Sequence, residues 1–207
     1  MFGIDRFGTL LFFLLFAFLV SGLSEAGWPN VVGSVANVAS LIAGFVATGL
    51  SANRRRLGVL VAIGIISAVL VGFQQETIPG AIGALGQAIV LGAILLAVVR
   101  RVLAHEQVGL PTIAGAIAAY VLIGLIFAWI YLAMSGLVDG PAFEPDTAGL
   151  PTYYSFVVLT TLGFGDITPV HDLVQRLTAL EAIAGQIFLA TLVARLVSMY
   201  GAPARGK

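Results

Sequence analysis

The stretch TTLGFGDITP, residues 160–169, decides how this chain is interpreted. It lies between two long apolar runs, yet it carries hydroxyl groups, an aspartate, two glycines and a proline. Hydrocarbon cannot satisfy bare backbone N–H and C=O groups, so non-helical backbone at membrane depth survives only where protein buries it or where it lines a wet cavity. The stretch therefore predicts a pore or a binding site inside a membrane protein.

The composition of the chain is that of a membrane protein. Hydrophobic residues make up 59% of the 207 residues, charged residues make up only 10%, and the mean hydropathy is +1.06. A soluble domain cannot keep so much apolar surface out of aggregates. The chain has no cysteine, which excludes disulfides, thiolate metal sites and cysteine nucleophiles. We expect membrane lipids around it, no cofactor and no nucleic-acid partner.

Six stretches are apolar over about 20 residues, the length that a helix needs to cross the hydrocarbon. They are residues 7–24, 31–50, 57–74, 79–100, 111–135 and 173–199. A shorter apolar piece, residues 152–162, cannot span the bilayer and leads into the quoted stretch. We therefore expect an all-α membrane protein with six transmembrane helices and a short re-entrant helix between the fifth and the sixth.

The basic residues predict the orientation of these spans. With a cytoplasmic N-terminus, nine of the ten arginine and lysine residues fall inside, and Arg176 is the one outside. The carboxylates that fall outside are Glu25, Glu76, Asp139, Glu144, Asp146, Asp166 and Asp172. This distribution follows the positive-inside rule. We expect a multi-pass plasma-membrane protein with both termini cytoplasmic, and the arginine-rich usage, typical of a GC-rich bacterial genome, favours a bacterial inner membrane.

The quoted stretch resembles a known family. Residues 161–166, TLGFGD, look like the selectivity filter of potassium channels, which reads TVGYG. Leu162 and Phe164 replace valine and tyrosine, and both are expected to point into surrounding protein while the backbone faces the ion. The resemblance covers residues 111–200. It implies an outer helix at 111–135, a pore helix at 152–162, a filter at 161–166 and an inner helix at 173–199.

The resemblance also implies how the filter would bind K⁺ as its permeant ion. Ion sites are expected on backbone carbonyls, with a threonine hydroxyl completing the innermost one. The residues concerned are Thr161, Leu162, Gly163 and Phe164. Gly163 and Gly165 permit backbone conformations closed to other residues, so that successive carbonyls can turn toward one axis, and Asp166 is expected at the outer mouth. One chain supplies one such segment, so we expect a homotetramer with the pore on its symmetry axis.

Four further residues have a functional and a structural interpretation. Tyr153 and Tyr154 fall where the family carries an aromatic cuff that supports the filter, but they are equally typical of interfacial anchors. Gly185 is either a gating hinge of the inner helix or a packing glycine. Glu181, an ionisable group inside a span, is a functional candidate by default. We expect it to make a contact behind the filter, and a charged ring in the cavity is the alternative.

The first half of the chain gives less information. Residues 1–104 are expected to form a four-helix transmembrane domain, sensor-like in layout, and residues 105–207 the pore domain. Residues 79–99, in the fourth span, contain no arginine, and steep voltage dependence needs several charges in each subunit. No voltage sensing is therefore expected. Glycines such as Gly83 and Gly86 indicate close helix packing.

Two rival functions compete with a passive potassium channel. The first is a non-selective cation channel on the same scaffold, since Phe164 lacks a hydroxyl that could tether the filter. The second is an intramembrane aspartyl protease, because residues 163–166 also satisfy its GxGD pattern. Such an enzyme needs a second aspartate inside another span. The other aspartates, Asp5, Asp139, Asp146 and Asp172, fall in loops or at span edges, so we expect no enzyme.

Overall fold

The computed structural model describes residues 7–21, 54–73, 77–104, 109–145 and 151–200. The helices in these ranges are α1 (Phe7–Ser21), α2 (Arg54–Phe73), α3 (Ile78–Leu103), α4 (Leu110–Leu137), α5 (Pro151–Leu159) and α6 (Asp172–Tyr200). Two short strands, β1 (Phe143–Glu144) and β2 (Thr168–Pro169), pair with each other. The predicted span at residues 31–50 lies outside the described residues.

Three of the described helices are long and apolar enough to cross a membrane. They are α3, α4 and the Asp172–Leu192 part of α6. The shorter apolar segments Phe7–Phe16 and Gly58–Val71 lie within α1 and α2. The described part of the chain is mostly helical, in agreement with the all-α membrane prediction, and the six-span layout stays a prediction.

A shared core joins α1, α3 and α4. Its fully buried side chains include Phe7, Leu10 and Leu14 of α1, Val90 and Val98 of α3, and Leu122 of α4. Lipid is as apolar as these side chains, so the helices associate mainly through van der Waals contact, which small residues make closer. A Cβ on Gly83 would lie 2.8 Å from the Ser67 carbonyl oxygen of α2. The close packing predicted from the glycines is therefore present between α2 and α3.

The second half of the chain holds a short helix between two long ones. Helix α5 packs against both α4 and α6. An aromatic cluster fills one side of this arrangement: the rings of Tyr131 and Tyr154 lie 5.0 Å apart, and Phe143 lies 5.7 Å from the first and 4.8 Å from the second, all edge to face. Such pairs add to the energy of area burial. The cluster fixes α5 to α4 and to β1.

The pairing of β1 with β2 fixes the C-terminal end of the quoted stretch. Phe143 stands opposite Pro169 and Glu144 opposite Thr168. The Val170 N–H also donates to the Ala142 carbonyl at 3.1 Å. The segment between α5 and α6 is thus fixed at both ends, by the short helix before it and by the two-stranded pairing after it.

Candidate functional site

The site begins where α5 ends, and that end has a specific hydrogen-bonding pattern. The Thr161 N–H donates to the Val158 carbonyl at 2.9 Å, and the Leu162 N–H donates to the Val157 carbonyl at 2.9 Å. This pair of bonds is the Schellman motif, which requires a left-handed residue just beyond the helix. Thr161 takes that conformation, with φ of 58°. The helix consequently ends at Leu159, and not at residue 162 as the length of the apolar run predicts.

A left-handed threonine is unusual. A side chain with a Cβ pays roughly 1–2 kcal/mol for this conformation, which is why helices usually end in glycine there. The Thr161 hydroxyl donates to the Thr160 carbonyl at 2.7 Å, so its oxygen lone pairs stay available to a ligand. The chain therefore accepts backbone strain at the residue whose hydroxyl was predicted to complete the innermost ion site.

The backbone beyond the helix alternates in conformation. Positive φ occurs at Thr161 (58°), Gly163 (55°) and Gly165 (74°), while Leu162 and Phe164 between them have negative φ. Glycine takes a positive φ without steric cost, so two of the three positive-φ positions are occupied by the residue that permits them. A Cβ built on Gly163 or Gly165 would meet nothing within 4 Å. Backbone conformation, and not lack of space, is what requires glycine at these two positions.

The hydrogen bonding of the backbone carbonyl groups changes at residue 161. Every carbonyl from Phe156 to Thr160 accepts a hydrogen bond from the protein, including one at 3.0 Å from the Tyr120 hydroxyl to Leu159 and one from the Thr161 hydroxyl to Thr160. Within the described ranges, the carbonyls of Thr161, Leu162, Gly163 and Phe164 accept none. Four successive acceptors are thus left for water or for a ligand.

The side chains of Leu162 and Phe164 are exposed in the described part of the single chain. Leu162 is 57% exposed and Phe164 is 64% exposed. The sequence predicted that both point into surrounding protein, and the described part of this chain does not supply that protein. Any cover has to come from outside the described residues or from another molecule.

The C-terminal end of the segment is tied back to the start of α5. The Tyr153 hydroxyl donates to the Asp166 carboxylate at 2.6 Å. This bond raises the pKa of the Tyr153 hydroxyl, since the carboxylate favours the protonated donor. The tyrosine therefore keeps its proton through the neutral range, and the brace persists there. Tyr153 and Asp166 are brought together as a pair that the sequence analysis did not connect.

Tyr154 has a different environment from its neighbour. It is 4% exposed, belongs to the aromatic cluster with Tyr131 and Phe143, and its hydroxyl forms a 2.7 Å hydrogen bond with the Thr178 hydroxyl of α6. A residue buried to this extent does not anchor the chain in the lipid headgroups. Tyr154 instead links α5 to α6.

Glu181 lies behind α5, fully buried. One of its carboxyl oxygens, Oε2, accepts from the Tyr131 hydroxyl of α4 at 2.6 Å, and the other, Oε1, is in hydrogen-bond contact with the Ser155 hydroxyl of α5. The Ser155 oxygen also lies 2.7 Å from the Gly124 carbonyl oxygen of α4. Glu181, on α6, thus connects this helix with α4 and α5, and it is buried and not exposed beside the loop.

Gly185 lies against the end of α5. A Cβ added to Gly185 would lie 2.7 Å from the Leu159 carbonyl oxygen and 2.9 Å from its Cδ1. Helix α6 runs without interruption through this position. The close approach to Leu159 therefore supports the packing interpretation of Gly185, and the hinge interpretation stays a prediction.

Three residues of this arrangement are absent from the sequence-based set: Tyr120, Tyr131 and Ser155. Each carries a hydroxyl group in a helix predicted to cross or enter the membrane. That hydroxyl is the signal that could have drawn attention to it, because hydroxyls buried away from water need partners. Their partners lie between 26 and 50 residues away along the chain. No local spacing rule joins residues so far apart.

One comparison with known proteins found a match. Residues 116–201 match the family model described as ion channel. The match runs from α4 through α5 and the segment after it into α6, and it covers less than half of the chain. No match was found among curated proteins or among solved structures. The second half of the chain thus has the sequence pattern of an ion-channel pore domain.

Proposed function

We propose that four copies of this chain form a passive potassium-selective channel, with residues 161–166 as its filter. The observation that carries the proposal is the change in carbonyl bonding at Thr161. The protein satisfies each carbonyl up to Thr160 and leaves the next four without a donor in the described ranges. Bare acceptors at membrane depth are costly unless something replaces the missing donor, and a dehydrated cation does so.

The chemistry of conduction follows from these oxygens. A K⁺ ion sheds its water when ring after ring of carbonyl oxygens offers comparable coordination. Gly163 and Gly165 hold the positive φ that such rings need. The Thr161 hydroxyl already donates its proton to the Thr160 carbonyl, so it turns lone pairs, and not a proton, toward an ion at the innermost ring.

A homotetramer is part of the proposal, because one chain contributes one strand of oxygens and a ring needs several around an axis. The exposed side chains of Leu162 and Phe164 support it, since a neighbouring copy would cover them. The described part of α6 also carries an exposed apolar stripe at helical spacing. Its residues are Leu173, Leu180, Ile183 and Ile187.

The orientation of the channel is proposed from charge. The Arg195 side chain donates to the Val102 carbonyl at 2.9 Å, so the late part of α6 lies beside the end of α3 that carries Arg100 and Arg101. Asp166 lies near the other end of α6, whose first residue is Asp172. The positive-inside rule then puts the arginine end in the cytoplasm and Asp166 outside.

Two alternatives give different outcomes in a single experiment. A non-selective cation channel would share the scaffold but admit Na⁺. A GxGD protease would need Asp166 to work with a second aspartate, whereas the Asp166 carboxylate accepts a hydrogen bond from Tyr153. The ion-channel match over residues 116–201 favours conduction over proteolysis.

The test is passive flux in liposomes that contain the purified chain. A K⁺ gradient should drive flux through the proposed channel even when Na⁺ is the only other cation present. A Na⁺ gradient of the same size should drive little flux. Equal K⁺ and Na⁺ flux would establish the non-selective alternative. Absence of any flux, with the assembly intact in the bilayer, would refute conduction.

A further inference from the structure

Glu181 offers more than a packing contact, because the hydrogen bonds around it determine where a proton must lie. Its Oε2 accepts from Tyr131, and its Oε1 contacts the Ser155 hydroxyl. The Ser155 oxygen is also 2.7 Å from the Gly124 carbonyl oxygen. Two short oxygen contacts therefore converge on one serine hydroxyl, which carries one proton.

Only one assignment of protons satisfies both contacts of the Ser155 hydroxyl. The Gly124 carbonyl can only accept, so the 2.7 Å contact requires the proton of the Ser155 hydroxyl. The contact between Ser155 and Glu181 then needs a second proton, and Tyr131 has already given its own to Oε2. Only a protonated Glu181 supplies it, by donating from Oε1 to the Ser155 oxygen. An ionised carboxylate would leave one contact as two oxygen lone pairs facing each other.

Among the residues that the structure describes, no cationic side chain is hydrogen-bonded to Glu181 to balance a negative charge. The titratable groups that face it are phenols, namely Tyr120 and Tyr131 of α4 and Tyr154 of α5. Within the described ranges no arginine or lysine side chain takes part in its hydrogen bonds. A fully buried and unpaired carboxylate is among the most expensive groups in a protein interior, whereas a hydrogen-bonded carboxylic acid is not.

We propose that Glu181 is held as a neutral carboxylic acid and acts as a positioning residue for the filter, an inference that rests on the proposed function. As the acid it accepts from Tyr131 of α4 and donates to Ser155 of α5, and a carboxylate could not make the second of these bonds. Ser155 lies four residues before Leu159, about one helical turn from the end of α5. The bridge thereby sets the position from which the filter backbone departs.

The protonation state has a direct spectroscopic test. Infrared spectra of the lipid-reconstituted protein at neutral pH are compared between the natural chain and Glu181→Gln. The natural chain should show the carbonyl stretch of a protonated carboxylic acid that the variant lacks. Glu144→Gln, which changes an exposed glutamate, is the matched control and should leave that band in place. A difference spectrum with carboxylate bands alone would overturn the proposal.

The positioning role is tested by conduction in the same preparations. Glutamine reproduces the acid, since its amide donates to Ser155 and its carbonyl accepts from Tyr131, so Glu181→Gln should keep most of the K⁺ flux. Glu181→Ala removes both bonds and should lose most of it while the tetramer still assembles. Equal flux in the alanine and glutamine variants would refute the positioning role. Absence of flux in the natural chain would refute the proposed function, and the infrared result would still decide the protonation state.

Discussion

Gly185 of the inner helix lies directly against the last carbonyl of the short helix: a Cβ on Gly185 would approach the Leu159 oxygen to 2.7 Å. Backbone on both sides leaves little freedom to adjust, so Gly185→Ala should push α5 and α6 apart. Overpacking of this kind costs about 1–3 kcal/mol. We expect a lower midpoint of thermal unfolding in detergent and a loss of K⁺ flux.

Gly92→Ala is the control for that substitution. Gly92 lies inside α3, and a Cβ there meets nothing within 4 Å, so alanine should be neutral or gain up to about 1 kcal/mol of helix propensity. If Gly185→Ala unfolds at the same temperature as the natural chain but conducts differently, the contact with Leu159 is not what requires glycine, and the hinge interpretation gains support.

Gly163→Ala tests the filter backbone. Alanine at a φ of 55° pays about 1–2 kcal/mol or leaves the left-handed region, and either response disturbs the carbonyls on both sides. We expect assembly to persist and K⁺ flux to be abolished. Single-channel recording with size-exclusion chromatography measures both properties.

The matched control for Gly163 is Gly140. It has a φ of 83° with open space around it, but it follows α4 and is not part of residues 161–166. Gly140→Ala pays the same kind of backbone penalty and should keep conduction. Loss of flux in both variants alike would mean that backbone strain in general, and not the filter carbonyls, controls conduction.

Tyr153→Phe removes the hydrogen bond to Asp166 while keeping the ring. Because the bond is exposed, we expect little change in thermal stability. We expect the outer end of the filter to lose its brace, so that current declines faster during sustained K⁺ conduction. The wild-type bond itself should be lost only as pH rises above the ordinary range of tyrosine, because its pKa is raised.

Asp166→Asn serves as the partner substitution for this brace. It should change block by external cations without abolishing selectivity, because it removes the charge while its amide oxygen can still accept from Tyr153. Asp166→Ala removes the acceptor, so combining it with Tyr153→Phe should add little to the faster decline of current in either single variant, since both remove the same bond. Additive effects in the double variant would show that the tyrosine and the aspartate act independently.

The orientation gives a prediction that does not depend on conduction. The natural chain has no cysteine, so single cysteines report without background. Glu144→Cys should react with a membrane-impermeant thiol reagent added outside, and Ala104→Cys should react only when the reagent reaches the cytoplasmic side; both positions are exposed. The reversed pattern would contradict the proposed orientation.

Sequence reasoning singled out residues 161–166 because the evidence for them is local. Gly163 and Gly165 stand two residues apart in a short stretch, and the positive φ found at both follows from what glycine permits. The long helices followed equally well from apolar length, so that the outer helix predicted at 111–135 runs from Leu110 to Leu137. Local composition was enough for these features.

The remaining features depend on contacts between distant residues. Thr161 ends α5 by adopting a left-handed conformation that threonine disfavours. The conformational propensity of threonine therefore predicts against this helix end. The partners of Glu181 lie on two other helices, and no pattern in the sequence aligns Tyr131 with it. Tyr153 and Tyr154 look alike in sequence, yet one braces Asp166 and the other is buried, because successive residues on a helix point about 100° apart.

The most direct measurement of the central claim is a structure of the reconstituted assembly determined by electron cryo-microscopy in K⁺. We predict fourfold symmetry around residues 161–166, with a row of ion densities on the axis between the carbonyl oxygens of Thr161, Leu162, Gly163 and Phe164. An assembly with another symmetry, or loops whose carbonyls turn into side-chain packing with no density on the axis, would contradict the account.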